Sequence, residues 1–170
     1  MCGIWGIMNS KSRINSSVLQ YSKLAAKKMH HRGPDDDGFW NNEHFALAFK
    51  RLSILDVSPM GHQPMVSQCE NYILVYNGEL YNYKKVKKIL ENKGYRFRST
   101  CDSEVVLNAL IEWGTNALSR FNGMFALGFI NIREESLLIA RDHVGMKPLY
   151  YCNLNGNFVF GSQLDHIMQY

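Results

Sequence analysis

Among 170 residues there are only four cysteines, at 2, 69, 101 and 152. No two are close enough for a zinc or Cys-x-x-Cys redox motif. Cys69, Cys101 and Cys152 read as small, semi-buried apolar residues rather than disulfide partners. Charge of one sign is also scarce: 19 basic side chains face 15 acidic ones, for a formal charge of +4. That excess excludes a strong electrostatic case for nucleic acid. Its densest cluster, Lys84, Lys85, Lys87, Lys88 and Lys93, reads as the wet face of a helix. No apolar run approaches the roughly 20 residues of a membrane span. The apolar start, residues 1–8, has no basic flank and is too short for a signal peptide. A cytoplasmic location is therefore expected, and Asn15-Ser16-Ser17 is read as a chance sequon. His30, His31, His44, His62, His143 and His166 lack metal-ligand spacing, so no metal is expected. Repeats, low-complexity tracts and linkers are missing too. Hydrophobic residues make up 46%, enough for one domain with a core across residues 1–170.

Residues 2–8 read as a buried strand. Residues 16–29 have helical spacing at Val18, Tyr21, Ala25 and Met29, with Ser16 or Ser17 as cap and Lys27 and Lys28 at the C-terminal end. Strands are expected around 39–40 and 45–49, then at 72–76, where Asn77-Gly78 marks a stop. Residues 82–93 suit a helix with Tyr83, Val86, Ile89 and Leu90 inward and Gly94 as terminator. A second helix is expected at 103–113. Strands follow at 125–132, 137–141 and 148–151, with Asn155-Gly156 as a hairpin turn. A last helix begins near Gln163. Strands at both ends with helices between predict an α+β fold with largely antiparallel sheets.

Several residues carry chemistry. Cys2 becomes the N-terminal residue if Met1 is trimmed. Thiol and α-amine then share one Cα, and the amine, with a reference pKa of about 7.7 to 8.0, can act as base for its own thiol. Asn77 and the backbone N–H of Gly78 are suitable donors for an oxyanion, and Glu79 for an ammonium; a plain Asn-Gly turn is the competing reading. Arg51, at a strand end, can hold a carboxylate in bidentate fashion. Asp102 can bind an ammonium or cap a helix, with Glu104 favouring the helix dipole. Gly3 either opens an approach to the thiol or marks a bulge.

Taken together, Met1-Cys2-Gly3-Ile4, His31-Arg32-Gly33-Pro34-Asp35-Asp36, Arg51-Leu52-Ser53-Ile54, Gly61-His62-Gln63-Pro64-Met65, Asn77-Gly78-Glu79, Asp102-Ser103-Glu104, Ala140-Arg141-Asp142 and Gly145-Met146-Lys147-Pro148-Leu149-Tyr150 resemble the class II glutamine amidotransferases. The Arg-Gly-Pro-Asp-Asp form looks most like the N-terminal glutaminase domain of the glutamine-hydrolysing asparagine synthetases. The resemblance implies an N-terminal-nucleophile hydrolase fold, a four-layer αββα sandwich of two antiparallel sheets. It implies Cys2 as nucleophile, Asn77 and Gly78 as oxyanion hole, Arg51 on the substrate carboxylate, Glu79 and Asp102 on its ammonium, and backbone near Ile54 lining the pocket. It also implies glutamine as substrate and a synthetase domain or subunit as receiver of the ammonia. This domain needs no cofactor; ATP and Mg are expected only in the synthetase domain. The chain departs from such synthetases in lacking their Ser-Gly-Gly-x-Asp-Ser phosphate loop. It is therefore expected to be a fragment, a truncated product or half of a split enzyme. The alternatives are an inactive glutamine-binding or docking module, or the glutaminase half of another class II amidotransferase.

Overall fold

A computed structural model describes residues 1–52, 59–154 and 156–168. Chain order is β1 (Gly3–Asn9), α1 (Ser16–Lys28), β2 (Asp36–Asn41), β3 (Phe45–Arg51), β4 (Met65–Val66), β5 (Tyr72–Leu80), α2 (Tyr83–Asn92), α3 (Asp102–Trp113), β6 (Gly123–Asn131), β7 (Ser136–Arg141), β8 (Tyr150–Leu154), β9 (Asn157–Gly161) and α4 (Asp165–Met168). One sheet has the order β2-β3-β1-β9-β8 and the other β4-β5-β6-β7. Their neighbouring strands pair antiparallel.

Strand periodicity sorts the side chains into three apolar layers. Ile4, Phe45, Leu47, Phe49, Ile73, Val75, Ala126, Ile130 and Phe160 fill the space between the sheets. The alternate residues of β1 and β3, Trp5, Ile7, Ala46 and Ala48, meet Val18, Ala25 and Met29 on the α1 side. Leu74, Tyr76, Leu80, Leu127 and Phe129 meet Val86, Leu90, Val106 and Leu110 from α2 and α3. Helices thus cover both outer faces, as an αββα sandwich requires. The Phe160 ring is wedged between the sheets. A Cβ on Gly6 would fall 2.3 Å from it and one on Gly128 2.4 Å away. Both glycines make room for one aromatic. Phe160→Ala should cost about 3–5 kcal/mol, read as a lowered urea midpoint; a loss under about 1 kcal/mol would mean the sheets close over the gap.

The expected elements are present, with corrections. Helix α1 is capped by Asn15, not by Ser16 or Ser17: extended Asn15 accepts the Val18 N–H at 2.9 Å through its side chain. Strand β5 does not stop at Asn77-Gly78 but runs to Leu80, because β6 pairs with it as far as Leu80↔Gly123. The Asn-Gly pair is therefore no turn. Ile89 is exposed rather than inward, whereas Val86 and Leu90 are buried and Tyr83 packs against the same layer beneath α2. The α2 lysines Lys84, Lys85 and Lys88 are exposed, as a wet face demands. Gly94 ends that segment with φ +96°, and Gly156 turns the β8–β9 hairpin with φ +79°. No described helix is long and apolar enough to cross a membrane.

Candidate active site

Three inward rows turn polar at the same end of the sandwich. In β3 the row Phe45, Leu47, Phe49 leads on to Arg51. In β5, Ile73 and Val75 lead to Asn77 and Glu79. In β1, Ile4 leads back to Cys2. Because side chains alternate strictly, each polar residue continues the apolar row before it. Cys2, Arg51, Asn77, Gly78, Glu79 and Asp102 all line one cavity of about 100 Å³, together with Met1, Leu52, Gln63, Tyr76, Met124 and Lys147. These are the site residues expected from the sequence, apart from Ile54, which lies outside the described residues.

The Cys2 thiol lies against the end of β3. Its Sγ accepts the Leu52 N–H at 3.4 Å and sits 3.6 Å from the Leu52 carbonyl oxygen. Arg32 Nε donates to the Cys2 carbonyl at 3.1 Å. Burial lowers the Arg32 guanidinium from its usual value, while Cys2 acts to raise it. Gly3 leaves room for Met29 and Arg32. A Cβ there would lie 3.1 Å from Met29 Sδ, so the glycine seats the turn that carries Arg32. Gly33 serves the same packing, since its Cβ would stand 2.4 Å from the Arg51 carbonyl carbon.

The unpaired edge of β5 shapes the opposite wall. Strand β4 covers only Ile73 and Leu74. Beyond it, Tyr76 gives its N–H to Gln63 Oε1 at 2.6 Å and accepts Gln63 Nε2 at 3.2 Å. Leu80 gives its N–H to Asp102 Oδ2 at 2.8 Å. Gly78 has the same parity and lies between them. Its β6 partner, Phe125, is turned the other way: Phe125 bonds Asp142 through both its N–H and its carbonyl. The Gly78 N–H therefore points off the sheet edge into the cavity. A Cβ at Gly78 would come within 2.6 Å of the Met124 carbonyl oxygen. Beside it, Asn77 is 2% exposed and its Nδ2 has no hydrogen-bond partner among the described residues. A buried amide donor without an acceptor is costly. Here it sits next to a second open donor, at the place where an oxyanion could form.

Asp102 does not cap α3; the residue before that helix is Cys101, which makes no side-chain cap. Glu104 instead reaches back to the N–H groups of Arg98 and Ser99. The Asp102 carboxylate accepts from Leu80 N–H and from the Tyr76 hydroxyl at 3.2 Å. Burial outweighs these donors and holds the carboxyl above its ordinary 3.8. Burial and the neighbouring Asp102 push the Tyr76 hydroxyl well above its usual value, so it stays a donor. The folded chain therefore keeps the Asp102 proton at a pH where the unfolded chain has lost it. Stability should fall as pH rises from 3.8 through the raised value, then level off. Asp102→Asn should flatten this dependence in urea midpoints measured across acidic pH; an unchanged slope would assign the effect elsewhere.

The last wall is tied down by Asp142. Its carboxylate accepts the N–H groups of Phe125, Val144, Met146 and Lys147. Burial acts to raise this carboxyl, but the backbone donors prevail and hold it below the usual range. A larger cavity of about 410 Å³ lies behind Glu104, lined by Met60, Met65, Tyr95, Leu107 and Ile111 with Cys69 on its wall. The site residues expected from the sequence line the smaller cavity and not this one.

A family described as "Glutamine amidotransferase domain" matches residues 1–170. Asparagine synthetase [glutamine-hydrolyzing] 1 of Bacillus subtilis is 38% identical over 169 residues, covering 99% of this chain and 27% of that protein. Asparagine synthetase B [glutamine-hydrolyzing] of Escherichia coli is 36% identical over 153 residues, covering 88% of this chain and 26% of its own length. The chain thus spans about a quarter of these relatives. Among solved structures, glutamine phosphoribosylpyrophosphate amidotransferase from B. subtilis shares the fold with a TM-score of 0.76 at 21% identity, over 97% of this chain and 42% of that one. The N-terminal-nucleophile sandwich expected from the motifs is the fold observed. This chain belongs to the glutamine amidotransferase domain family.

Proposed function

We propose that the chain hydrolyses glutamine to glutamate and ammonia through a Cys2 γ-glutamyl thioester. The observation that carries this reading is the pair of open donors, Asn77 Nδ2 and Gly78 N–H, in the cavity that holds the Cys2 thiol. With Met1 removed, the free amine takes the thiol proton and the thiolate attacks the side-chain amide carbon. Asn77 and Gly78 hold the resulting oxyanion. The intermediate collapses as the amine returns its proton to nitrogen, and ammonia leaves. Water then attacks the thioester, and glutamate departs as the thiol re-forms. Arg51 holds the α-carboxylate, while Glu79 and Asp102 hold the α-ammonium; the backbone near Ile54 completes the pocket. Arg32 positions the nucleophile through its bond to the Cys2 carbonyl.

No cofactor enters these steps: glutamine supplies the nitrogen that leaves as ammonia, and water supplies the oxygen of the new carboxylate. In a longer or split synthetase the ammonia would serve asparagine formation from aspartate, with ATP and Mg bound by a separate synthetase domain. The reading is supported by the names of the relatives and by the fraction of their length the chain matches. A cytoplasmic setting suits such a biosynthetic role. The deciding experiment is glutamate release from glutamine by purified protein whose Met1 is shown by mass spectrometry to be absent. Steady turnover is expected. Absence of turnover despite a free Cys2 would leave a binding or docking module.

A further inference from the structure

The Gly78 N–H is open because the chain beside β5 turns away before reaching it. Strand β4 pairs Met65 with Leu74 and Val66 with Ile73. Continued in that register, it would set Gln63 opposite Tyr76 and Gly61 opposite Gly78, and the Gly61 main chain would cover the Gly78 N–H. It does not continue. The Gln63 carbonyl lies against β2, where a Cβ on Gly38 would stand 1.9 Å from its oxygen. Gly61 packs against the end of the Arg51 side chain, with its Cβ position 2.2 Å from Nη2. The main chain of residues 61–63 has left β5 for the sheet that carries β2 and β3.

The Gln63 side chain reaches back across the gap. Its Oε1 accepts the Tyr76 N–H at 2.6 Å, and its Nε2 donates to the Tyr76 carbonyl at 3.2 Å. One strand residue offers another the same two bonds across an antiparallel pair. Here a side-chain amide supplies them, on a residue 4% exposed at the cavity wall. Further along the edge, Leu80 gives its N–H to Asp102. The edge donors on either side of Gly78 are therefore occupied. A peptide unit is planar and rigid. Holding the Tyr76 carbonyl thus fixes the plane it shares with the Asn77 nitrogen, the residue that carries one oxyanion donor and precedes the other.

We infer that Gln63 is a positioning residue for the oxyanion hole: its side-chain amide replaces a strand partner at Tyr76, so that the main chain can leave β5 while the Gly78 N–H stays open beside Asn77. The inference rests on the glutaminase reading above. Gln63 acts through the backbone of Tyr76 and exchanges no proton or electron pair with the substrate.

The test compares Gln63→Met and Gln63→Glu with the parent protein, all with Met1 removed, by glutamate release over a range of glutamine concentrations from acidic to alkaline pH. Gln63→Met keeps the length of the side chain and loses both bonds. It should lower kcat by about ten- to a hundredfold, the scale of a small misplacement of catalytic groups. KM should change by less than about threefold, because the hole acts on the transition state. In Gln63→Glu an ionised carboxylate can accept the Tyr76 N–H but cannot donate to the Tyr76 carbonyl, whereas a protonated carboxyl can do both. Its kcat relative to the parent should be low at alkaline pH and rise as pH falls, while the ratio for Gln63→Met stays flat. The other titratable groups on the cavity, Arg51, Tyr76, Glu79, Asp102 and Lys147 with the thiols of Cys2 and Cys101, are common to all three proteins. Circular dichroism and urea midpoints identify a variant that fails to fold; if Gln63→Met does, the pH dependence of the Gln63→Glu ratio carries the test. Parent-like kcat in folded Gln63→Met would overturn the inference, as would a raised KM at unchanged kcat. So would a Gln63→Glu ratio that does not change with pH. Turnover in the parent that depends on Cys2 separates these outcomes from failure of the glutaminase reading itself.

Discussion

Cys2→Ala should reduce glutamate release by at least about 10⁴-fold, to the limit of detection, because Cys101, the other thiol lining the cavity, has its nitrogen in a peptide bond and so no amine base of its own. The side chains proposed to hold glutamine at its α-carbon, Arg51, Glu79 and Asp102, line the same cavity and are untouched by the change. The variant should therefore still bind glutamine, which isothermal titration would register. Retained turnover at the parent rate would refute the thioester mechanism. The same logic applies at the backbone. Met1 lines the cavity beside Cys2, and while it remains, the α-nitrogen of Cys2 is an amide and cannot accept a proton. Protein that keeps Met1 should be silent even with an intact thiol. Mass spectrometry and activity measured on the same preparation should track one another.

Asn77→Ala should lower kcat by about 10²- to 10³-fold, the loss seen when one side-chain oxyanion donor is removed. KM should move little, since the Asn77 Nδ2 has no partner until the oxyanion forms. Stability gives an independent reading. An unpaired buried donor costs roughly 1–3 kcal/mol, and its removal offsets the packing lost with the side chain. The thermal midpoint of Asn77→Ala should therefore match or exceed that of the parent. A clear drop in the midpoint with preserved kcat would make Asn77 a structural residue and shift the oxyanion hole elsewhere.

Much of this site was legible because strands count in twos. Once β1, β3 and β5 are placed, Cys2, Arg51, Asn77 and Glu79 follow as the residues that extend inward apolar rows. The resemblance supplied their chemistry. What could not be read from residue order was how β5 ends. Asn77-Gly78 has the composition of a turn, and local preference points that way. Pairing with β6 as far as Gly123 overrides it. The long-range partners of the edge were equally invisible. Gln63 and Tyr76 are 13 residues apart and Asp102 is 22 residues from Leu80, and nothing in composition links them. Asn15, Ser16 and Ser17 share the same capping preference, so composition does not choose among them; the extended backbone at Asn15 does.

The alternation that builds the site also fixes how this domain can tolerate insertions and deletions. Losing one residue of β1 between Gly3 and Ile7, which pairs with Ala46 and Val159, would move Cys2 to the face that meets α1. The apolar content of the strand would hardly change, so such a deletion could fold while carrying its nucleophile on the wrong side of the sheet. A loss of two residues would restore the facing but shorten the reach to Leu52. Length changes in β1, β3 and β5 should therefore be excluded from functional variants far more strictly than substitutions. The turn at Gly156, outside this row, is where length can vary without reversing any of it.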